Sequence, residues 1–136
     1  MILADTSAWV EYDRRTGSAA HLRLRELILE GDELAVTEPV AMEVLAGACS
    51  DEREQKLREL LARYEARPLR PEFDFDAAAR IYRRCRRAGI TPRGLVDCLI
   101  AAVAKREDLE LLAHDVDLAR VAGVVGLRMD PASLRA

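Results

Sequence analysis

The amino-acid sequence predicts an α/β fold, a three-layer α/β/α sandwich in which a central parallel sheet carries helices on both faces. Short apolar segments typical of strands alternate along the chain with longer segments of helical periodicity. The chain has 136 residues, 50% hydrophobic and 33% charged, which suits one buried core. Because we find no linker, repeat or low-complexity tract, residues 1–136 are predicted to form a single domain.

The N-terminal elements follow from short-range signals. Residues 2–5 are apolar up to Asp5 and predict a short buried strand, and Thr6 or Ser7 offers the N-cap of the following helix. A second helix has leucine and isoleucine at positions i, i+3 and i+4. We expect it to end near Gly31, because glycine favours helix C-termini.

The middle of the chain predicts another strand and two helices. The segment ELAVTEP is typical of a strand, and Pro39 lies where the first turn of a helix accepts proline. Ser50 is expected to cap the next helix. The segment RPLRP is bracketed by prolines and is therefore expected to form at most an edge strand.

The C-terminal half predicts three helices and two strands. The first helix is expected from about Phe75 to Ala88 and is closed by Gly89. The elements that follow are the helix LVDCLIAAVAK, the strand LELLAH, the short helix DVDLARVAG and the strand VVGLRMD.

Cysteine and histidine are too sparse for a disulfide framework or a zinc site. Cys49, Cys85 and Cys98 are widely spaced and odd in number, so we expect buried free thiols. His21 and His114 are the only histidines, so a metal ion would need oxygen ligands. No apolar stretch approaches the roughly 20 residues of a membrane helix, so the cytoplasm is the expected location and no membrane partner is expected.

Acidic residues interrupt segments that are otherwise apolar. Asp5 ends the first predicted strand, Glu43 stands among small and apolar residues, and Asp97 is the single charge in GLVDCLIAAVA. A buried carboxylate needs a partner, a proton or a cation, because its bare burial is strongly unfavourable. Asp115 and Asp117 follow the strand LELLAH. Ligands of parallel sheets bind beyond the carboxyl ends of the strands, where Asp5 and Asp115 are expected to lie.

Each acid also has a purely structural explanation. Asp5, Asp115 and Asp117 could cap helices, Asp97 could stabilise a helix dipole, and Glu43 could form an ion pair. Together, however, the acids favour one shared site. Two like charges about 4 Å apart repel by roughly 4 kcal/mol at an effective dielectric of 20, so such a cluster needs a cation. Oxygen-only ligation favours Mg²⁺ or Mn²⁺.

The segments ILADTSAWVE, EPVAMEVLAGA, LVDCLIAAVA and HDVDLARVA, in this order over nearly the whole chain, resemble the PIN domain. Specifically, they resemble the VapC-type toxin ribonucleases of bacterial toxin–antitoxin pairs. The resemblance implies the strand order 3-2-1-4-5 and an acidic metal site near the sheet. The implied catalytic residues are Asp5, Glu43, Asp97 and Asp115, the implied metal ligands are Asp5, Asp97, Asp115 and Asp117, and Thr6 supports the site.

The implied activity is that of a Mg²⁺- or Mn²⁺-dependent endoribonuclease, in which a metal-activated water attacks an RNA phosphodiester. The resemblance also implies a homodimer and a cognate VapB-type antitoxin. The alternative function is a catalytically inactive protein-binding module with the same fold. A phosphoryl receiver or an aspartyl phosphatase is disfavoured, because Lys105 lies within a predicted helix and Asp5 begins no DxD pattern.

Arginines in the predicted helix ARIYRRCRRAG indicate where RNA would bind. The net charge is −3, but only Lys56 and Lys105 among the 21 basic residues are lysines. Arginine makes bidentate contacts with phosphate, so we predict a contact with the RNA backbone; the alternative is a solvated face paired with acids. Aromatic residues, at 4%, offer little for base stacking. The predicted RNA contacts are Arg80, Arg83, Arg84, Arg87 and Arg93, with Arg86 nearby.

Overall fold

Parallel strands form a sheet at the centre of this computed structural model, which describes residues 1–135. The spatial order is β3-β2-β1-β4, and β1 is buried because it has a neighbour on each side. Leu3 of β1 pairs with Ala35 of β2 and with Leu111 of β4. The strands are β1 (Ile2–Ala4), β2 (Leu34–Val36), β3 (Glu65–Ala66) and β4 (Glu110–Leu112).

Helices flank this sheet, which confirms the predicted α/β class. The helix α1 packs against α2, α5 packs against α6, and α3 contacts both α1 and α6. The helices are α1 (Thr6–Arg14), α2 (Ala19–Glu30), α3 (Glu38–Ala46), α4 (Asp51–Leu61), α5 (Pro71–Arg87), α6 (Leu95–Arg106) and α7 (Val116–Val125). None of the helices within residues 1–135 is both long and apolar enough to cross a membrane.

The strand predicted within VVGLRMD does not form, so the predicted order 3-2-1-4-5 is wrong in its last member. Met129 makes only an isolated parallel bridge to Leu111, beside β4 where the fifth strand was expected. The helix α7 extends through Val125, and Pro131 provides no N–H donor. Between Gly126, which ends the helix in a left-handed conformation, and Pro131, the chain meets β4 at the single bridge of Met129 rather than as a strand.

Two further boundaries differ from the sequence prediction. The helix α5 begins at Pro71 rather than near Phe75, because proline suits the first helical position and Asp74 Oδ2 accepts a 2.8 Å hydrogen bond from the Arg70 N–H. The predicted edge strand RPLRP is replaced by β3, directly before it. β3 does lie at the edge, and its pairing stops where Pro68 lacks a donor.

The core is apolar and continuous between the sheet and the helices. Trp9, Leu24 and Leu57 are among its fully buried side chains. Cys85 and Cys98 are buried free thiols, as predicted, but the prediction was wrong for Cys49, which is exposed. Cys49 lies in the bend between α3 and α4, where neither helix covers it.

Candidate active site

An open cleft of about 420 Å³ lies beyond the carboxyl ends of β1 and β4. Both strands lead directly into the loops and helix starts that form its walls. We call it the acidic cleft, because carboxylates from four separate parts of the chain face it. Its lining residues are Asp5, Thr6, Ser7, Glu43, Arg93, Gly94, Val96, Asp97 and Asp115.

Asp5 caps α1, so the prediction of Thr6 or Ser7 as the N-cap was wrong. Asp5 also lines the cleft, so its structural and functional explanations are compatible. Its Oδ2 accepts hydrogen bonds from the Ser7 N–H (3.1 Å) and the Ser7 hydroxyl (2.8 Å). Its Oδ1 is buried and has no hydrogen-bond partner within residues 1–135. Asp5 is only 2% exposed, and burial raises the pKa of its carboxyl above the ordinary value.

Asp115, and not Asp117, is the N-cap of α7, and it also lines the cleft. Oδ1 accepts the Asp117 N–H at 2.9 Å and so begins α7, while Oδ2 pairs with the Arg93 guanidinium. Asp117 Oδ2 accepts the backbone N–H of Arg93 at 3.0 Å and lies 3.5 Å from Arg93 Nε. The Asp115 charge raises the pKa of Arg93, which therefore stays charged beside the cleft.

Glu43 reaches the cleft from α3 and is oriented by α1. The Thr6 hydroxyl donates a 2.6 Å hydrogen bond to Glu43 Oε1 across 37 positions of the sequence. Thr6 directly follows Asp5, so the same helix start positions both carboxylates. The supporting role predicted for Thr6 therefore has a specific contact in the structure.

The pKa of Asp97 shows most directly that several negative charges lie near one another in the acidic cleft. Asp97 lies in the first turn of α6, and its pKa is raised to about 7 by burial first and then by Asp5, Asp115 and Glu43. The last three are like charges, so the four carboxylates interact through space although the sequence separates them widely. A carboxyl with a pKa near neutrality favours either a proton or a nearby cation.

The chemistry of the cleft suits a hard cation. Its acidic groups offer oxygen donors, and the unpartnered Asp5 Oδ1 is a buried acceptor that nothing else satisfies within residues 1–135. No three His, Cys, Asp or Glu side chains in that range converge closely enough to form a ready ligand set. Ser7, Thr6 and Arg93 each hold a different carboxylate, which keeps the like charges apart.

Ser7 is the main contributor that the sequence interpretation missed. Its hydroxyl donates to Asp5 and accepts a 2.8 Å hydrogen bond from the His114 backbone N–H. It therefore connects the end of β1 to the loop after β4 and fixes Asp5 relative to Asp115. The available signal was a hydroxyl two residues after a strand-ending aspartate, a spacing that favours side-chain hydrogen bonds to the backbone.

The predicted RNA-binding arginines do not share one environment. Arg80 pairs with Asp76 on the exposed surface at 3.2 Å, whereas Arg93 lies at the acidic cleft. Arg83 and Arg93 line a second cleft of about 510 Å³, which shares Arg93 and Gly94 with the acidic cleft. We call this second cleft the α5 groove.

The α5 groove continues away from the acids along α5. A smaller cleft beside it is lined by Tyr82, Arg83, Arg86 and Arg87, and the two share Tyr82 and Arg83. The exposed Arg84 is on the same helix. Three arginines of α5, including Arg86, thus lead from the acidic cleft along a continuous depression.

The sequence also matches a known protein family. The sequence model of the PIN domain matches residues 2–124, so the chain belongs to the PIN-domain family. The chain is 44% identical over 129 residues to Ribonuclease VapC11 of Mycobacterium tuberculosis (strain H37Rv), covering 94% of this chain and 96% of that protein. The same values hold for VapC ribonuclease Mb1587 of Mycobacterium bovis.

A solved structure supports the fold. A chain in the crystal structure of VapBC2 from Rickettsia felis, bound to a promoter DNA fragment, superposes with a TM-score of 0.75. The match covers 98% of this chain and 99% of that chain at 18% sequence identity. At this identity the likeness shows a shared fold.

Proposed function

We propose that this protein is a metal-dependent endoribonuclease that acts as the toxin of a VapBC-type pair and cleaves RNA phosphodiester bonds. The main observation in support is that Asp5, Glu43, Asp97 and Asp115, from distant parts of the chain, face one cleft. The 44% identity to proteins named VapC ribonucleases supports the same activity.

The proposed cofactor is Mg²⁺ or Mn²⁺. Nucleases of this family generally depend on a divalent metal ion, and the oxygen donors of the acidic cleft favour these two ions. We assign Asp5, Asp97 and Asp115 as ligands, with Asp117 assisting. Such an ion supplies an activated water and stabilises negative charge on the phosphate.

The protein side chains prepare this chemistry by position and charge. Ser7 and Thr6 hold one oxygen each of Asp5 and Glu43, leaving Asp5 Oδ1 without a partner in residues 1–135 and Glu43 Oε2 outside the Thr6 hydrogen bond. Arg93 is 68% exposed and places a positive charge at the rim, where an RNA phosphate would enter. It therefore pairs with acids on one side and is open to a ligand on the other.

RNA is proposed to approach along the α5 groove. Arg83, Arg86 and Arg87 are exposed and lie along depressions that lead to the acidic cleft, which supports backbone contacts there. Arg80 and Arg84 were predicted from the same helical pattern. Because Arg80 already pairs with Asp76, we expect Arg83 and its neighbours along the groove to contribute more.

The proposal extends to assembly and location. We infer a single PIN domain over residues 1–136, a homodimer, and a cognate VapB-type antitoxin that covers the acidic cleft. The fold shared with a VapBC complex supports the antitoxin. Exposed Phe75 and Leu95, at 56% and 61% exposure, line one apolar depression, which is typical of a surface that meets another protein. Because its substrate is cellular RNA, the toxin is proposed to act in the cytoplasm.

A nuclease assay with purified protein tests the proposed activity. Structured RNAs are incubated with Mg²⁺, with Mn²⁺ or with a chelator, and wild type is compared with Asp5→Asn and Asp97→Asn. We expect metal-dependent cleavage by wild type and a loss of at least about 100-fold in both variants, since each removes a charged ligand. RNA or antitoxin binding without any metal-dependent cleavage would instead support the inactive binding module.

A further inference from the structure

Another cleft, with a different chemistry, lies away from the acidic cleft, where α1 ends and where α2 and α4 begin. Its volume is about 510 Å³, and we call it the arginine cleft. It is lined by Tyr12, Arg15, His21, Arg25 and Arg53. The helix α1 has nine residues, so about 13 Å of helix separates its acidic start from the end that carries Arg15.

The side chains of the arginine cleft are almost entirely hydrogen-bond donors. His21 Nδ1 accepts a 2.9 Å hydrogen bond from the Gly17 N–H, so the neutral ring carries its proton on Nε2. His21 is only 8% exposed, and this contact fixes its orientation. Guanidinium groups have donors and no acceptor, and the Tyr12 hydroxyl can also donate. The cleft is thus chemically suited to a ligand that consists of acceptors.

The charge of the arginine cleft is unbalanced. Arg53 pairs with Asp13, whose Oδ1 accepts a 2.5 Å hydrogen bond from Arg53 Nε. Arg15 and Arg25 form no ion pair with any acid among residues 1–135 and are exposed. Two positive charges therefore remain on the walls of one cleft in a protein whose net charge is −3. Such a local excess favours an anion.

The backbone at Arg15 is the third observation. Arg15 is the C-cap of α1 and has a left-handed φ of 52°, a conformation that favours glycine. The equivalent caps of α2 and α7 are glycines, Gly31 and Gly126, with φ of 81° and 74°. Of these three left-handed caps, the one at Arg15 has a long cationic side chain, and this side chain lines the arginine cleft.

We propose that the arginine cleft binds a phosphate group, carried either by the backbone of an RNA or by a small phosphorylated compound. Phosphate offers only acceptors and negative charge, and guanidinium groups bind it in a bidentate manner. The site is separate from the acidic cleft and does not depend on the nuclease function. Binding there brings Arg15 and Arg25 against one anion, with Tyr12 and His21 available as further donors.

The variant Arg15→Gly tests this site without damaging the fold, because glycine suits the left-handed cap. Melting temperatures are measured for the full chain with chelator, in inorganic phosphate or pyrophosphate and in chloride at equal ionic strength. We expect phosphate or pyrophosphate to raise the wild-type melting temperature by several degrees. Arg15→Gly should melt no lower than wild type in chloride and lose at least half of the rise.

Two other variants complete the set. Arg25→Ala should lose a similar part of the response, whereas Arg120→Ala, which removes an exposed arginine of α7, should respond as wild type. The kcat of Arg15→Gly at saturating oligonucleotide should stay at the wild-type value, because Arg15 lies outside the acidic cleft. A full wild-type response in both Arg15→Gly and Arg25→Ala would overturn the proposal.

The source of the phosphate group is distinguished by a binding titration with a labelled RNA in chelator. If RNA supplies it, Arg15→Gly and Arg25→Ala weaken RNA binding at least about threefold and pyrophosphate competes with the RNA. If a small compound supplies it, only the pyrophosphate response is lost and RNA binding stays at the wild-type level. Wild type that responds to none of these probes would refute the phosphate site.

Discussion

The hydroxyl of Thr6 donates a 2.6 Å hydrogen bond to Oε1 of Glu43, joining the start of α1 to the middle of α3. Thr6 is the residue after Asp5, which is 2% exposed and caps the same helix. One turn of backbone therefore positions two acids of the cleft, Asp5 through its own place in the chain and Glu43 through this contact.

Removal of the Thr6 hydroxyl should disorder Glu43 while preserving the packing. For Thr6→Val we expect kcat to fall about 10-fold or more and stability to fall by about 1 kcal/mol, because one hydrogen bond is lost while water still reaches Glu43. Steady-state cleavage kinetics and a urea titration measure the two effects. Thr6→Ser keeps the donor and should retain most of the activity; equal activity in both variants would contradict the positioning role.

Three acids of the cleft were predictable from sequence because each interrupts an apolar segment, namely Asp5, Glu43 and Asp97. Asp97 is the single charge in an otherwise apolar stretch, and a charge placed there needs a reason whatever the fold. That the acids would meet in one place was predictable from the alternation of strands and helices, because Asp5 and Asp115 both follow parallel strands. The pattern did not reveal that each of these two would both cap a helix and line the cleft.

The features that the sequence did not predict depend on side-chain conformation or on marginal pairing. Ser7 bridges Asp5 and the loop at His114 through a hydroxyl, a contact that no periodicity encodes. Arg93 was predicted as a surface RNA contact, and its pairing with Asp115 depends on the loop before α6. The prediction of a fifth strand was wrong because the sequence around Met129 looks nearly the same whether it forms a single bridge or a full strand.

Arg93 is expected to oppose metal binding while favouring RNA binding. Its guanidinium pairs with Asp115 and Asp117, both of which are proposed to act on the ion. Arg93→Ala should tighten Mn²⁺ binding by roughly 3- to 10-fold, since Arg93 is 68% exposed and a like charge about 4 Å away costs roughly 1 kcal/mol at the dielectric of water. The same variant should weaken RNA binding, because a cation is lost from the rim.

Calorimetric titration with Mn²⁺ and a separate RNA titration in chelator measure the two effects of Arg93→Ala. Arg93→Lys keeps the charge and should bind Mn²⁺ as wild type does. Unchanged Mn²⁺ affinity in Arg93→Ala would show that Arg93 does not restrict the acids.

Asp97 should make the stability of the metal-free protein depend on pH. The pKa of the Asp97 carboxyl is about 7 in the folded protein, against 3.8 for an unperturbed aspartate, so folding favours its protonated form. The stabilising contribution is complete below pH 3.8 and is lost as the pH rises through about 7. At pH 8 in chelator, Asp97→Asn should therefore be more stable than wild type by about 1–2 kcal/mol, a value reduced for solvent screening.

Added Mg²⁺ should reverse the order of the two proteins. Wild type gains stability from an ion that binds the folded state, and Asp97→Asn gains less because a ligand charge is missing. Urea titrations at pH 5 and pH 8, each with chelator or Mg²⁺, measure all four conditions. A metal-free Asp97→Asn that is markedly less stable than wild type at pH 8 would favour a purely structural role at the helix N-terminus.

The arginines of α5 should contribute unequally to RNA binding, although they belong to one helix. Arg83 lines the groove that meets the acidic cleft, and Arg86 lines the depression that continues from it. Arg80 is 82% exposed and pairs with Asp76 at 3.2 Å. An RNA strand that leaves the acidic cleft along these depressions would therefore pass Arg83 and Arg86, whereas Arg80 lines neither depression.

This difference is measurable as a salt dependence. Each phosphate contact with single-stranded RNA contributes about 0.7 to the slope of log affinity against log salt, so Arg83→Ala and Arg86→Ala should each flatten the slope by about that amount. Arg80→Ala and Arg84→Ala remove the same charge from the same helix and should leave the slope near the wild-type value. Equal slopes for all four variants would mean that the helix acts only as a diffuse positive surface, because contacts fixed by the groove must distinguish Arg83 from Arg80.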